Sequence, residues 1–294
     1  MRAHMIVVTG ANGSFGRRVA QRLLTTVPAG GIVASVRRPS AAADLAGQGV
    51  TVRHGDFDEP ATLTEALAGA GTVLLNATNY GTPPRERARQ QEAVIQGAVS
   101  AGARRVVFTS WSRLEAYRPE RVEDYARTEQ ALATCGLRWT VLRQTYGLAA
   151  ALARDVRIAL TAGVLAAPAG AARTTPAALD DLADATAAVL ASDGHDGATY
   201  ELTGPDAIDW NDLAALASRL TGGQVAYRPT PDAEFRAASV EGGFPEAAVQ
   251  ELLELYAAFR AGWAATPSED LTRLLGRPAT PSLEAVRRVV RDVA

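Results

Sequence analysis

The first 145 residues alternate short apolar runs with longer segments whose apolar residues recur at helical spacing. Runs rich in β-branched residues predict six strands, at 5–10, 31–38, 50–56, 72–78, 104–110 and 138–143. The segments between them predict helices at 14–27, 59–70, 84–102 and 122–136. Strands that alternate with helices form a parallel sheet with helices on both faces. The sequence therefore predicts an α/β fold with a doubly wound parallel sheet.

The pattern changes after residue 146. Helical segments rich in alanine dominate the remainder, at 211–222, 232–243, 245–263 and 282–293, and strand-like runs occur at 198–204 and 224–229. We therefore divide the chain into a sheet-forming domain, 1–146, and a smaller, mainly helical lobe, 147–294, which is not an independent domain. Doubly wound folds bind ligands at the carboxyl ends of their strands, so we expect the lobe to pack there and to bind a substrate.

A glycine-rich stretch joins the first predicted strand to the first helix. Gly10, Gly13 and Gly16 have the spacing that a dinucleotide-binding turn requires: a tight turn, close approach of the backbone to a pyrophosphate, and close packing of the helix on the strand. Ser14 and Phe15 form the first helical turn, whose free N–H groups and positive dipole end favour phosphate. A purely structural glycine turn is the alternative, but the strand before it and the helix after it favour an NAD(P)-binding domain.

The end of the second strand indicates which dinucleotide is bound. An acidic residue there would bind the ribose hydroxyls of NAD, whereas this chain has Arg37 and Arg38, whose guanidinium groups suit a 2′-phosphate. Solvated surface arginines are the alternative interpretation. The sequence favours NADPH, with NADH possible. Further residues expected beside the cofactor are Asn12, Asp56, Phe57, Asn76, Ala77, Thr78 and Thr109.

Composition excludes several classes of partner. The net charge of −2 gives no electrostatic basis for binding nucleic acid. No apolar run approaches the length of a transmembrane helix, and the first strand begins too early to leave room for a signal peptide. The single cysteine, Cys135, cannot form an internal disulfide, which fits a reducing cytoplasm. We expect a cytoplasmic protein that binds small molecules and no metal; its oligomeric state is not predicted.

With these residues assembled, the chain resembles the short-chain dehydrogenase superfamily, and within it the atypical NmrA-like members of the NADPH quinone oxidoreductase branch. The resemblance covers nearly the whole chain and includes VVTGANGSFGRRV (7–19), AGARRVVFTS (101–110) and GATYELTGP (197–205). It implies a Rossmann-type fold, NADPH as cofactor and transfer of hydride to a small aromatic acceptor.

Members of this superfamily typically use a Ser-Tyr-Lys triad, in which the lysine lowers the pKa of the tyrosine. This chain contains no lysine, and Glu129 follows Tyr125 at the four-residue spacing. The resemblance places the serine of the triad at or beside Trp111, so Ser110 and Tyr125 are the remaining catalytic candidates. For a tyrosine at the position of Tyr125, packing against the nicotinamide or the core is a commoner role than proton donation. Tyr117 and Arg121 are separated by Pro119, which argues against one helical face. Expected substrate contacts are Trp111, Tyr117, Gln144 and Tyr146.

An enzyme without an acid suits an acceptor whose reduced form is weakly basic. An alkoxide is a far stronger base than a phenolate, whose conjugate acid has a pKa of about 10. The difference in pKa corresponds to about 7–8 kcal/mol at about 1.36 kcal/mol per pKa unit. We therefore expect an NADPH-dependent reductase of a quinone or a polycyclic phenolic ketone, such as an aromatic polyketide intermediate in antibiotic biosynthesis, in which the substrate assists its own protonation. A non-catalytic NADP-binding redox sensor is the alternative, and a nucleotide-sugar enzyme is a third that the missing Tyr-Lys pair disfavours.

Overall fold

A computed structural model describes residues 5–77, 81–117 and 119–292. All six strands predicted for the first part are present. The elements of this part are β1 Met5–Thr9, α1 Ser14–Leu23, β2 Ile32–Val36, α2 Ala43–Gly47, β3 Thr51–His54, α3 Pro60–Ala66, β4 Ala70–Leu75, α4 Pro84–Ser100, β5 Arg105–Trp111, α5 Pro119–Thr134 and β6 Arg138–Gln144.

The second part contains more elements than the sequence pattern indicated. It comprises α6 Leu148–Ala162, β7 Val164–Ala167, β8 Arg173–Thr174, α7 Leu179–Ala191, β9 Ala198–Leu202, β10 Ile208–Asp209, α8 Trp210–Thr221, β11 Ala226–Pro229, α9 Asp232–Glu241, α10 Glu246–Arg260, α11 Asp270–Leu275 and α12 Ser282–Arg291. The strand-like run at 198–204 therefore forms β9, and the run at 224–229 forms β11.

Seven parallel strands form the main sheet, in the order β3-β2-β1-β4-β5-β6-β9. The strand order reverses between β1 and β4, and the crevice above such a reversal is where doubly wound folds bind dinucleotides. Residues of β1 alternate between the two faces of the sheet, since Val7 belongs to one apolar core and Ile6 and Val8 to the other. The predicted doubly wound α/β fold is confirmed.

Helices cover both faces of the sheet. One core lies between the sheet and α4 and α5, and continues into α6, α8 and α10; the other lies between the sheet and α1, α2 and α7. The second part of the chain thus returns to the main sheet twice, with β9 pairing beside β6 and α7 packing against α1. The remaining helices form a lobe with two short sheets, β7 with β11 and β8 with β10. Among the described residues, no helix has both the length and the apolar character to cross a membrane.

Candidate active site

The glycine-rich turn has the close packing that its spacing predicts. Gly10 adopts a positive φ of 63°, and its carbonyl accepts a hydrogen bond from the N–H of Gly13 at 3.0 Å. A Cβ atom on Gly16 would lie 2.6 Å from that same carbonyl oxygen, closer than a side chain can approach. Gly13 is the N-cap residue of α1, and no side chain caps the helix there. The first N–H groups of α1 therefore have no side-chain cap, which fits a pyrophosphate.

The loop after β2 is tied to this turn. The side-chain amide of Asn12 donates to the backbone oxygen of Arg38 at 2.9 Å, while the side chains of Arg37 and Arg38 are exposed. Arg17, which the sequence analysis did not single out, donates to the backbone oxygen of Ala41 at 2.7 Å and pairs with Asp44. Its position directly after the third glycine was the available signal. Asn12 and Arg17 thus hold the loop after β2 against the glycine-rich turn, and the expected contact of Arg37 and Arg38 with a 2′-phosphate stays a prediction.

Asp56 and Phe57 follow the carboxyl end of β3, which is parallel to β2. The backbone N–H of Asp56 donates to Oγ1 of Thr62 at 2.9 Å, and its carboxylate accepts from the backbone N–H of Asp58 at 3.0 Å. The Asp56 side chain therefore stabilises its own turn, as aspartates commonly do. Phe57 packs, half-buried, against the apolar core.

Threonine hydroxyls from β1 and β5 fix the chain where β4 ends. Thr9 Oγ1 donates to the backbone oxygen of Leu74 at 2.8 Å and accepts from the N–H of Asn76 at 3.1 Å. Thr109 Oγ1 accepts from the N–H of Ala77 at 2.8 Å. A Cβ on Gly10 would lie 3.2 Å from the side-chain nitrogen of Asn76, so these residues border the glycine-rich turn. Thr78 lies outside the described residues.

The aromatic candidates lie together where β5 ends. The rings of Trp111 and Tyr117 have centroids 5.2 Å apart, and Trp111 stacks on Trp263 at 5.5 Å. Tyr125 is buried against Phe108 and Trp111, with ring centroids 6.2 and 5.9 Å away. Helix α5 begins at Pro119, so Tyr117 lies before the helix. Trp263 also donates from Nε1 to the backbone oxygen of Ser112 at 2.9 Å, which joins the lobe to β5.

Gln144 and Tyr146 have different surroundings although both follow β6 closely. Gln144 is buried, and its side-chain amide donates to Thr186 on α7 at 3.2 Å, so it does not join the other candidates. Tyr146 is 49% exposed, and its hydroxyl lies 3.2 Å from Oγ of Ser14. Its ring packs edge-on against Phe15 with centroids 5.7 Å apart. Tyr146 therefore borders the glycine-rich turn.

A cluster of charged side chains surrounds Glu129, the residue at the four-residue spacing from Tyr125. Ser110 Oγ donates to the carboxylate of Glu129 at 2.6 Å, and Arg143 binds both oxygens of that carboxylate at 3.0 and 2.8 Å. The Arg143 guanidinium also pairs with Glu115 at 3.0 Å and with Glu201 at 3.4 Å. The pKa of Arg143 is raised, mainly by its hydrogen bonds to Glu129.

Glu201 makes the equivalent contact on the other side of Trp111. Its carboxylate accepts from Oγ of Ser112 at 2.8 Å and from the backbone N–H of Arg113. Burial raises the pKa of Glu201, and its contacts with Ser112 and Arg143 oppose that rise. Arg143 and Glu201 were missed from the sequence. The sequence contains no signal for their pairing, because they stand side by side only through the register of β6 and β9.

Comparison with known proteins identifies the family. A family model described as NAD(P)H-binding matches residues 10–193, well over half of the chain. The chain belongs to this NAD(P)H-binding family. Within the family it is 35% identical to quinone oxidoreductase 2 of Escherichia coli over 283 residues, which cover 96% of this chain and 97% of that protein.

Two solved structures of family members are also similar over their whole length. The NADPH-dependent quinone oxidoreductase of E. coli complexed with NADPH matches with a TM-score of 0.89 and 34% identity, covering 97% of this chain and 99% of that one. The triphenylmethane reductase of Citrobacter sp. complexed with NADP(H) matches with a TM-score of 0.90 and 31% identity, at 97% and 99% coverage. The protein is an atypical, NmrA-like NAD(P)H-dependent oxidoreductase of the quinone reductase branch.

Proposed function

We propose that this oxidoreductase transfers hydride from NADPH to a quinone and needs no Ser-Tyr-Lys triad. The observation that carries the proposal is the composition of the expected triad positions. The chain contains no lysine, Glu129 stands at the lysine spacing, and Tyr125 is buried among aromatic rings. No lysine can therefore lower the pKa of a tyrosine here, so an acceptor that makes little demand for a proton is favoured.

A quinone meets that condition because hydride addition leaves a phenolate-like anion. NADPH supplies the hydride when bound, and a solvent proton then completes the hydroquinone. The protein contributes binding and orientation: the glycine-rich turn fixes one end of the cofactor, and the half-buried ring of Trp111, which packs on the buried rings of Tyr117 and Trp263, offers an aromatic face at the end of β5. A flat aromatic acceptor suits such a face. The names of the relatives, a quinone oxidoreductase and a triphenylmethane reductase, are consistent with acceptors of this kind.

The direct test is NADPH oxidation by the purified protein with 1,4-naphthoquinone, a polycyclic hydroxy-ketone and a simple aromatic ketone as acceptors. We expect rapid turnover with the quinone, slower turnover with the hydroxy-ketone and little with the simple ketone. Tight NADPH binding without turnover on any acceptor would contradict the proposal and favour a non-catalytic NADP-binding redox sensor.

The same assay with NADH tests the role of Arg37 and Arg38. The double variant R37A/R38A is expected to lose most of the preference for NADPH, since it removes both candidate partners of the 2′-phosphate.

A further inference from the structure

The serine hydroxyls beside Trp111 are both bound to carboxylates. Ser110 Oγ donates to Glu129 at 2.6 Å, and Ser112 Oγ donates to Glu201 at 2.8 Å. A hydroxyl has one hydrogen, so a serine that donates it to a carboxylate keeps only acceptor capacity for any other partner. Neither serine that flanks the family's serine position therefore has a hydrogen left for the oxygen of a substrate.

One guanidinium contacts both carboxylates. Arg143 binds Glu129 through two parallel hydrogen bonds, and it pairs with Glu201 at 3.4 Å. The side chains of Arg143 and Glu129 are each only 16% exposed, so water competes weakly for these bonds. The direction of the hydrogen bond from Ser110 is thus set by a charge pair behind it.

The direction of the hydrogen bond from Ser110 matters for which class of substrate the enzyme can reduce. A donor aimed at the oxygen on which negative charge develops lowers the barrier to hydride transfer, and removing one such donor typically costs about 10²- to 10³-fold in rate. Reduction of a simple ketone depends on such a donor far more than reduction of a quinone, because the alkoxide is the more basic anion.

We propose that Glu129, held by Arg143, is a positioning residue that withholds the hydrogen of Ser110 and so restricts the enzyme to acceptors whose reduced form is a weakly basic anion. This inference rests on the proposed quinone reductase function and names the residue that sets its acceptor class. It assigns to Glu129 an effect exerted through Ser110 rather than a contact with the reacting atoms.

The test is the variant Glu129→Gln. Ser110 Oγ and Arg143 Nε both donate to Oε1 of Glu129, while Arg143 Nη2 donates to Oε2. A glutamine can keep the bond from Nη2 through its carbonyl and give up the bond from Nε, so that its amide donates to Ser110 Oγ and frees the serine hydrogen. We expect the ratio of kcat/KM for a simple aromatic ketone to that for 1,4-naphthoquinone to rise by at least about tenfold. The double variant S110A/E129Q is expected to lose this gain, since the freed donor is then absent.

Glu115 provides the matched control. It pairs with the same guanidinium at 3.0 Å but is 75% exposed, and its described contacts include no serine. The variant E115Q removes an equal charge from Arg143 and is expected to leave the ketone-to-quinone ratio unchanged. Should E129Q fail to fold, E129A removes the acceptor of the Ser110 hydrogen and leaves Arg143 with two other carboxylates; the same shift in ratio is expected.

Each outcome has a distinct meaning. A wild-type protein that oxidises NADPH with neither acceptor contradicts the proposed function, and the inference that rests on it is overturned as well. A wild-type protein that reduces the quinone, together with an E129Q ratio that is unchanged or that rises equally in E115Q or S110A/E129Q, overturns only the role of Glu129. A selective rise in E129Q that requires Ser110 supports it, because a merely structural role would lower both activities together.

Discussion

Gly16 illustrates how a single missing side chain shapes the cofactor site. Its backbone approaches Gly10 so closely that a Cβ would lie 2.6 Å from the Gly10 carbonyl oxygen and 3.1 Å from Cα of Ala11. Both contacts are with backbone atoms, which cannot move aside as the end of a flexible side chain can. The third glycine of the motif is therefore required by the packing of α1 against the turn after β1.

The variant G16A is expected to destabilise the protein by about 1–3 kcal/mol, the usual cost of overpacking, and to weaken NADPH binding. Alanine is the better helix former by about 1 kcal/mol, so the clash must outweigh a favourable propensity. Thermal unfolding and a fluorescence titration with NADPH measure the two effects.

Gly47, the last residue of α2, provides the control. No atom lies within 4 Å of a Cβ added to Gly47, so G47A should be neutral or slightly stabilising. Equal Tm values for G16A and G47A would contradict the argument.

Local patterns predicted one part of the site well and another part not at all. The glycine-rich turn could be predicted because strand, turn and helix are consecutive in the chain. The cluster around Arg143 could not, because Glu129, Glu201 and Ser110 meet it from α5, β9 and β5, and their meeting depends on which strand pairs beside β6. The expected contact of Gln144 with substrate stays a prediction, and its hydrogen bond to Thr186 offers no support for it.

At the scale of elements, two of the ion pairs that the described residues form between α4 and α5 differ mainly in burial. Arg87 and Asp124 are 2% and 1% exposed, and the guanidinium donates to both carboxylate oxygens at 2.9 and 2.8 Å. Arg127 and Glu92 join the same two helices at 3.3 Å but are about half exposed, at 55% and 45%. The buried pair also lies beside the Tyr125 ring, whose centroid is 5.5 Å from Arg87 Cζ.

The variant D124N is expected to lower the free energy of unfolding by about 3–5 kcal/mol, because it removes the carboxylate charge from a buried ion pair. The matched variant E92Q breaks the exposed pair and is expected to cost at most about 1 kcal/mol. Urea denaturation of the two variants and the wild type gives the comparison. A loss of similar size in both variants would show that burial does not decide the strength of this contact.

The elements of the second part were predicted less completely than those of the first. The helix at 148–162 was not delimited, since alanine-rich sequence gives apolar residues on all faces and blurs the helical period. Helix α7 was missed for the same reason: Leu182, Ala183, Ala185, Thr186 and Ala187 are all buried between the sheet and α1 or α11. The run at 198–204 was correctly predicted as a strand, but only the structure shows that it joins the main sheet.

At the scale of the whole molecule, His195 makes stability depend on pH. It follows α7 and bonds the hydroxyls of Tyr200 and Ser192 at 2.8 and 3.1 Å. Burial, and then the charge of Arg105, lowers its pKa from the ordinary value of 6.5. Arg105 itself is fixed beside it, since its guanidinium donates to three carbonyls at the end of α7.

Because the unfolded chain binds this proton more readily than the folded one, the contribution of His195 to stability is present above about pH 6.5 and is lost as the pH falls through the lower, folded pKa. The Tm of the wild type should therefore fall more between about pH 8 and pH 5 than the Tm of H195Q. Other groups titrate in both proteins, so the difference between the two falls is the informative quantity. Parallel falls would contradict the assigned direction of the pKa shift.

Strand β9 is synthesised long after β6, the strand beside which it pairs, and this delay affects folding during translation. It covers the open edge of β6, yet it emerges from the ribosome much later, since β6 ends at Gln144 and β9 ends at Leu202. At ~5–20 residues per second, the nascent chain exposes an unpaired parallel strand for about 3–12 s. An exposed edge strand of this kind is a template for pairing with another chain. Chaperone demand and aggregation during expression should therefore depend on the speed at which the segment between these strands is translated.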